Sequence, residues 1–369
     1  MSENTQQTPE QEPNQVDTEQ ETDKKCPRCG GVMDYSPTTG GLHCPYCDYD
    51  QEIDSQEERE ATEEVDFSSA EAKENCNWGV EKKVVICSAC GGESIYDALQ
   101  IAGECPYCGS NQVMEAKAEN TLAPGGVCPF KIDKNQAVSN FHRWIKNKIF
   151  CPKEAKQKSK PSAFSGLYLP YWTFDADTQT TYSGNYGIDH THRDKDGRTY
   201  TTTNWYSTSG NYNKFIDDKL VIATSRHDSS MMHKIEPFDT ADNVKYKPEY
   251  IAGFASERYS IGLNDAWKSA QDAIKAQLNF EIAETIRYTH SAQHANVTGM
   301  NIKYHNIKYK YLLLPIWISS FQYKGKTYQF LVNGQTGKVG GKTPVSPLRV
   351  FIAVLAVILA IILLTLMMY

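Results

Sequence analysis

The sequence predicts an α+β fold class, with two small cysteine-bearing units ahead of a mixed α+β domain and one apolar helix at the end of the 369-residue chain. Three observations lead to this prediction. A paired C-x-x-C pattern occurs twice, a central segment combines alternating strand patterns with two helical patterns, and the last twenty residues are almost entirely apolar.

The cysteine pattern is an internal repeat in the first third of the chain. In each copy, 14 residues separate the two C-x-x-C pairs. The eight positions are Cys26, Cys29, Cys44 and Cys47 in the first copy, and Cys87, Cys90, Cys105 and Cys108 in the second. Because two C-x-x-C turns can surround one Zn²⁺ with four thiolates, the spacing predicts zinc ribbons at residues 26–50 and 84–111, each folded largely by its metal.

The zinc is expected to be structural, because four cysteine ligands leave no coordination position for a catalytic water. Disulfide pairing is the alternative, but it needs an oxidising compartment, and the N-terminal residues do not resemble a secretory signal. His43 lies beside Cys44 and could replace a ligand, although both cysteine sets are complete without it. Cys76, Cys128 and Cys151 belong to neither set.

The run from Val350 to Tyr369 predicts a transmembrane helix. At about 1.5 Å per residue its length is roughly 30 Å, which matches the hydrocarbon thickness of a bilayer. Lys338, Lys342 and Arg349 precede the run and no charged side chain follows it. The positive-inside rule therefore predicts a tail-anchored protein of the cell membrane, with a single span at residues 350–369 and the upstream domains in the cytoplasm.

The remaining charge is unevenly distributed in a chain of net charge −7. Residues 1–25 predict a disordered acidic tail and residues 51–83 an acidic linker between the ribbons. This balance argues against indiscriminate attraction to nucleic acid or anionic lipid. Lys146 to Lys160 is an exception, since it is basic enough to contact phosphate or lipid headgroups, although it also fits a solvated helix end.

Residues 119–347 predict one mixed α+β domain with an antiparallel sheet. Apolar spacing predicts an amphipathic helix over Asp133 to Ile149 and a second helix, capped by Asn264, to about Arg287. Strands are predicted around Ile302 to Leu313, where the alternation slips by one residue, and before the Asn333-Gly334 turn. Hairpin turns are predicted at Asp196-Gly197 and Ser209-Gly210.

A Leu-x-Leu-Pro-x-Trp segment also occurs twice, at Leu167 to Trp172 and at Leu312 to Trp317. We interpret it as an internal LPxW repeat of two related strand units. Proline is expected at a strand edge or bulge. Both tryptophans are expected to pack in the core, with ligand stacking as the alternative.

Together, these motifs resemble the YdjG-type proteins of Gram-positive bacteria, whose members are often labelled TFIIB-type zinc-ribbon or primosomal helicase-like proteins. The resemblance rests on the paired ribbons, the segment from Leu169 to Asp175, the segment from Val332 to Val339 and the apolar C-terminal run. It implies a membrane-anchored component of an envelope-stress system that works with PspA-like and flotillin-like proteins. Asp48 follows the last C-x-x-C pair of the first ribbon where Gly109 follows that of the second, so the first ribbon is expected to close less well.

The helicase label is not supported by a phosphate-binding motif. The nearest match, Gly341-Lys342-Thr343, has Thr336 in place of the first glycine and Pro344 where a helix should begin. Ribbon-mediated nucleic-acid binding, in replication or transcription, is the main alternative function. It is disfavoured because Val84 to Ala116 contains no lysine or arginine.

An enzyme is the third possibility, and the sequence offers no catalytic constellation for it. The candidate groups are His190 with His192, His290 with His294, Asp175 with Asp177, and His227 with Asp228. None of these pairs has a recognisable nucleophile or an H-E-x-x-H arrangement. The sequence therefore favours a non-enzymatic adaptor that recruits protein partners at the membrane.

Overall fold

The computed structural model describes residues 25–54, 60–68, 82–88, 93–97, 105, 113–116, 123–157, 164–227 and 229–368. The acidic tail and parts of the second ribbon, including Cys90 and Cys108, lie outside the described residues. The strands are β1 (Asp34–Ser36), β2 (Gly41–His43), β3 (Asp50–Gln51), β4 (Val65–Asp66), β5 (Lys82–Cys87), β6 (Glu93–Asp97), β7 (Val113–Ala116), β8 (Gly126–Val127), β9 (Ser165–Arg193), β10 (Thr199–Ile222), β11 (Val244–Lys245), β12 (Ala255–Ser256), β13 (His294–Tyr323), β14 (Lys326–Asn333) and β15 (Val339–Gly341). The α-helices are α1 (Lys134–Lys146), α2 (Lys153–Gln157), α3 (Ser229–Met232), α4 (Leu263–Thr289) and α5 (Pro347–Met368).

Three long antiparallel strands, in the order β10-β9-β13, form the centre of the α+β domain. Threonine, tyrosine and other residues that favour strands are frequent along them. Helix α4 packs against these strands, with one stripe of side chains buried in the main hydrophobic cluster. This stripe comprises Trp267, Ala270, Ile274, Leu278, Ile282 and Ile286. The predicted α+β architecture with an antiparallel sheet is confirmed.

The two LPxW segments lie side by side in this sheet. Leu169 is opposite Leu314, and Trp172 is opposite Tyr311. Trp172 is 1% exposed and Trp317 is 5% exposed, which confirms the prediction that both pack in the core. Each indole N–H donates to a backbone carbonyl, at 2.9 Å and 2.8 Å. That the segments are copies of one repeated unit stays a prediction.

Several local predictions can be compared with the observed elements. The slip in β13 is confirmed, because the register shifts between His305 and Lys308. Helix α1 begins as predicted, with Asp133 and Gln136 forming a capping box, and ends at Lys146. Helix α4 begins at Leu263 after Gly262, so Asn264 is its second residue rather than its cap.

The predicted hairpin turn at Ser209-Gly210 is wrong. Both residues lie inside β10, paired with Ser183 and Tyr182 of β9. A side chain at Gly210 would come within 2.7 Å of the Tyr182 hydroxyl, so glycine leaves room for the ring of Tyr182. The hairpin turn at Asp196-Gly197 is confirmed, since it connects β9 to β10 and Gly197 has a φ of +80°.

The described part of the acidic linker is attached to the α+β domain. Strand β4 pairs with β13, with Val65 opposite Tyr309. The Glu64 carboxylate lies 2.8 Å from the Lys308 ammonium group. The backbone N–H of Thr62 donates to the Asn243 side chain at 2.7 Å. These contacts hold residues 60–66 along the domain surface.

The strands of the second cysteine unit continue the main sheet. Strand β5 pairs with β6 and β7, and Ile95 of β6 lies opposite Ser256 of β12. Strand β12 in turn runs parallel to β9. The described strands of this unit are therefore hydrogen-bonded to the domain core.

Helix α5 differs from the other helices in its exposure. None of the residues of its apolar stretch Pro347–Met367 is buried. It is long and apolar enough to span a membrane.

Candidate metal centre

The first cysteine set is held by a small three-stranded sheet of order β1-β2-β3. Cys26 and Cys29 occupy the turn before β1, whereas Cys44 and Cys47 occupy the turn between β2 and β3. Cys26, Cys44, Met33 and Leu42 form a small buried cluster with Ala252 of the α+β domain. A cluster this small adds little stability alone, so a metal held by the four cysteines would stabilise it further.

The four sulfur atoms are arranged as the corners of one metal site. The Sγ atoms of Cys26 and Cys47 are 3.4 Å apart, and those of Cys29 and Cys44 are 3.5 Å apart. All four sulfurs lie within 4.8 Å of one another. Tetrahedral zinc with Zn–S bonds of about 2.3 Å requires sulfurs about 3.8 Å apart. The predicted first set is confirmed as a group that could bind a metal ion, and its donors fit Zn²⁺.

The backbone of both turns is closed by matching hydrogen bonds. Gly30 N–H donates to the Cys26 carbonyl at 2.8 Å, and Asp48 N–H donates to the Cys44 carbonyl at 3.0 Å. Gly30 has a φ of +72° and Asp48 a φ of +55°. Asp48 thus adopts the left-handed conformation that glycine adopts in the first turn, and the second turn closes with the same bond.

Backbone groups of the first turn also stabilise a thiolate. Burial opposes ionisation of Cys26, but hydrogen bonds from the backbone N–H groups of Cys29 and Arg28 and from neighbouring thiols lower its pKa to about 7. Burial and the other three thiols raise the pKa of Cys47 to about 12. Since zinc binds thiolates, metal binding at this cluster must release protons.

The first ribbon is docked on the α+β domain by its strand β1 and by the residues after β3. Tyr35 N–H donates to the Ala252 carbonyl at 3.0 Å, and the ring of Tyr35 packs against Tyr250. Asp54 pairs with the Lys247 ammonium group and accepts the Tyr250 hydroxyl at 3.0 Å. Ordering of this ribbon is therefore coupled to the domain surface.

The chain is similar to the uncharacterized protein YdjG of Bacillus subtilis (strain 168). The identity is 29% over 329 residues, which cover 87% of this chain and 90% of that protein. No family model matches the chain, and no solved structure matches it. Because the match covers most of both proteins, the similarity extends beyond the cysteine motifs into the α+β domain.

The second cysteine set is described only in part. Cys87 is 1% exposed and Cys105 is 3% exposed, and both belong to one hydrophobic cluster. Cys90 and Cys108 lie outside the described residues, so a second metal site stays a prediction. His43 is not needed as a ligand of the first site, since its Nδ1 atom is bonded to Asp50 at 2.8 Å.

The other candidate groups are distributed over the long strands. Where α4 leads into β13, His294 lies 3.2 Å from Asp189, and His290 stacks on Tyr186 with ring centroids 3.9 Å apart. His192 bonds to Thr202, and Asp177 accepts from Asn306. These contacts place His192, His290, His294 and Asp177 in structural pairs along the strands.

Asp175 belongs to a cluster that sequence analysis did not identify. Its carboxylate oxygen lies close to those of Asp217 and Asp218. The Lys310 ammonium group is 2.7 Å from Asp218 and 4.0 Å from Asp175, so a lysine supplies the positive charge. Burial raises the pKa of Asp175 to about 6. No sequence motif connects these residues, because Lys310 is far from them along the chain.

A second unrecognised group surrounds Glu257, which is fully buried. Its carboxylate accepts the Thr224 hydroxyl and lies 3.0 Å from His227 Nε2. His227 was paired with Asp228 in the sequence, but Asp228 lies outside the described residues.

Proposed function

We propose that this protein is a membrane-anchored cytoplasmic adaptor whose zinc ribbons recruit protein partners at the membrane. The observation that carries the proposal is the combination of a closed four-cysteine cluster with the apolar helix α5, none of whose described residues is buried. A closed thiolate set stabilises a fold and provides no position for substrate, which favours a non-enzymatic role. An apolar helix without burial is best explained by lipid around it.

The adaptor has two structural zinc sites in this proposal. Cys87 and Cys105 stand at the same spacing as Cys26 and Cys44 of the first site, and both are buried. Cys90 and Cys108 complete the second ligand set. A reducing cytoplasm keeps all eight thiols available for zinc, in agreement with the basic residues that precede α5.

Proteins are better partners than nucleic acid for the first ribbon. Its exposed surface carries the Tyr46 ring, which is 75% exposed, and the Asp48 side chain, which is 94% exposed. Arg28, the basic side chain within the cysteine set, lies over the Tyr49 ring at 4.9 Å. Phosphate binding requires several exposed cations, whereas this surface combines carboxylates with aromatic rings.

The resemblance to YdjG-type proteins supplies the proposed setting, an envelope-stress response with PspA-like and flotillin-like partners. The similar Bacillus subtilis protein supports the resemblance over most of the chain. The proposed partners rest on the resemblance alone.

Crosslinking in membrane fractions of cells that express the full chain tests this function. We expect proteins to be recovered with the wild-type chain and lost with Cys29→Ser, which removes one ligand of the first site. Cys151→Ser is the matched control, because Cys151 is buried but belongs to neither cysteine set. Recovery of nucleic acid in place of proteins would support the alternative function and contradict the adaptor.

A further inference from the structure

A basic pocket lies at the foot of α5. Its volume is about 520 Å³, and it is bounded by the start of α2, the β13–β14 turn and the segment that leads into α5. Four of its described lining residues are basic, namely Lys153, Lys324, Lys326 and Arg349. Glu154 is the one carboxylate among them, and it accepts the Tyr323 hydroxyl at 3.3 Å. The pocket is therefore strongly positive in a chain whose net charge is −7.

Hydrogen bonds fix the position of this pocket relative to α5. Arg349 Nη1 donates to the carbonyls of Ile149 and Cys151, at 2.8 Å and 2.6 Å. Ser346 N–H donates to the Phe150 carbonyl at 2.8 Å. Arg349 directly precedes the apolar run that starts at Val350. These bonds hold the loop between α1 and α2 beside the residue at which the apolar run begins.

Exposed side chains at this level suit a membrane interface. Ile149 is 76% exposed, Phe150 is 42% exposed and Leu348 is 67% exposed. Apolar side chains beside lysines are typical of segments that lie at the headgroup boundary. Without a membrane, the exposed apolar surface of these three side chains would face water.

We propose that this pocket binds the phosphate of an anionic phospholipid in the leaflet that α5 enters. The inference rests on the proposed membrane anchor and adds a lipid site to it. Charge complementarity selects an anionic headgroup, and the fixed position beside Arg349 selects a lipid of the surrounding leaflet over a soluble phosphate. The bound lipid holds the domain against the membrane in one orientation.

Photocrosslinking of the full chain in nanodiscs tests the site. One preparation contains photoactivatable phosphatidylglycerol at about a third of the lipid, and the other contains photoactivatable phosphatidylcholine alone. We expect phosphatidylglycerol to label peptides that contain Lys153 and Lys324, and phosphatidylcholine to label them much less. Each lysine near an anionic surface raises binding by about fivefold, so Lys153→Glu, Lys324→Glu and Lys326→Glu together should abolish the preference.

The matched control reverses three exposed lysines far from α5, namely Lys195, Lys275 and Lys303, and should retain the preference. Excess inorganic phosphate should not compete if the ligand is a lipid. Equal labelling by both lipids, or labelling that survives the reversal at the pocket, would overturn the lipid site while leaving the anchor intact. Absence of labelling on α5 itself would overturn the anchor and the lipid site together.

Discussion

Replacement of Asp48 by glycine should stabilise the first metal site, because Asp48 is the residue that holds an unfavourable backbone conformation there. Its φ is +55°, and the equivalent position of the first turn is Gly30 with a φ of +72°. A substitution to glycine in a left-handed position removes a steric cost of about 1 kcal/mol. Aspartate tolerates this conformation better than most residues, so we expect a gain of about 0.5–1 kcal/mol.

The Asp48 side chain offers little to offset this gain. Its carboxylate lies 3.7 Å from His43 Nε2, and its side chain is 94% exposed. An exposed pair of this kind contributes little to stability. The backbone effect should therefore dominate the result.

Hydrogen exchange in the zinc-loaded chain measures this effect locally. The N–H groups of Cys44 and Asp48 close the second turn, so their exchange should slow by about two- to fivefold in Asp48→Gly. Asp48→Ala is the control, because it removes the carboxylate but keeps the steric cost. Equal slowing in both variants would refute the backbone argument and assign the effect to charge near the thiolates.

Three further substitutions test other parts of the structure. Cys29→Ser should reduce the zinc content of the full chain from about two to about one per chain, measured by metal analysis. Ile274→Ala should lower the midpoint of thermal unfolding by about 5–15 °C, because Ile274 is 0% exposed on the buried face of α4 and its truncation leaves a cavity. Asp175→Asn should change the pH dependence of stability. Because burial raises the pKa of Asp175 in the folded chain to about 6, from an ordinary value of 3.8, the folded state binds the proton more tightly. The contribution of Asp175 to stability is therefore fully present below about pH 4 and is lost as the pH rises to about 6, and the asparagine variant should lack this decline when unfolding midpoints are compared across that range.

Each of these substitutions has a control on the same chain. Cys151→Ser should leave the zinc content unchanged. Phe280→Ala, on the exposed face of α4 with 69% exposure, should change the unfolding midpoint little. Asp217→Asn alters an exposed neighbour of Asp175 and should retain the decline with pH. If a control changes as much as the variant it is paired with, the structural reason given for that variant is wrong.

Features that depend on local spacing could be predicted from the sequence. The first cysteine set is local, since two turns and a short hairpin bring Cys26, Cys29, Cys44 and Cys47 together. The buried stripe of α4 follows from helical periodicity, and the register shift of β13 follows from a slip in alternation. In each case neighbouring residues carry enough information to specify the geometry.

Features that depend on distant contacts could not be predicted. Ser209-Gly210 has the composition of a turn, but pairing with Tyr182 on β9 overrides that local preference. Docking of the first ribbon depends on Asp54 meeting Lys247, which is 193 positions away. Lys310 enters the cluster of Asp175 and Asp218 only because β13 pairs with β9. No spacing rule connects such residues.

Resistance of the full chain to alkaline carbonate extraction tests the membrane anchor most directly. Cell membranes are washed with carbonate and floated on a density gradient, beside those of cells that express the chain ending at Ser346. The full chain should float with the membranes and the shortened chain should remain in the soluble fraction, because α5 supplies the apolar surface that lipid covers. Release of the full chain into the soluble fraction would contradict the account.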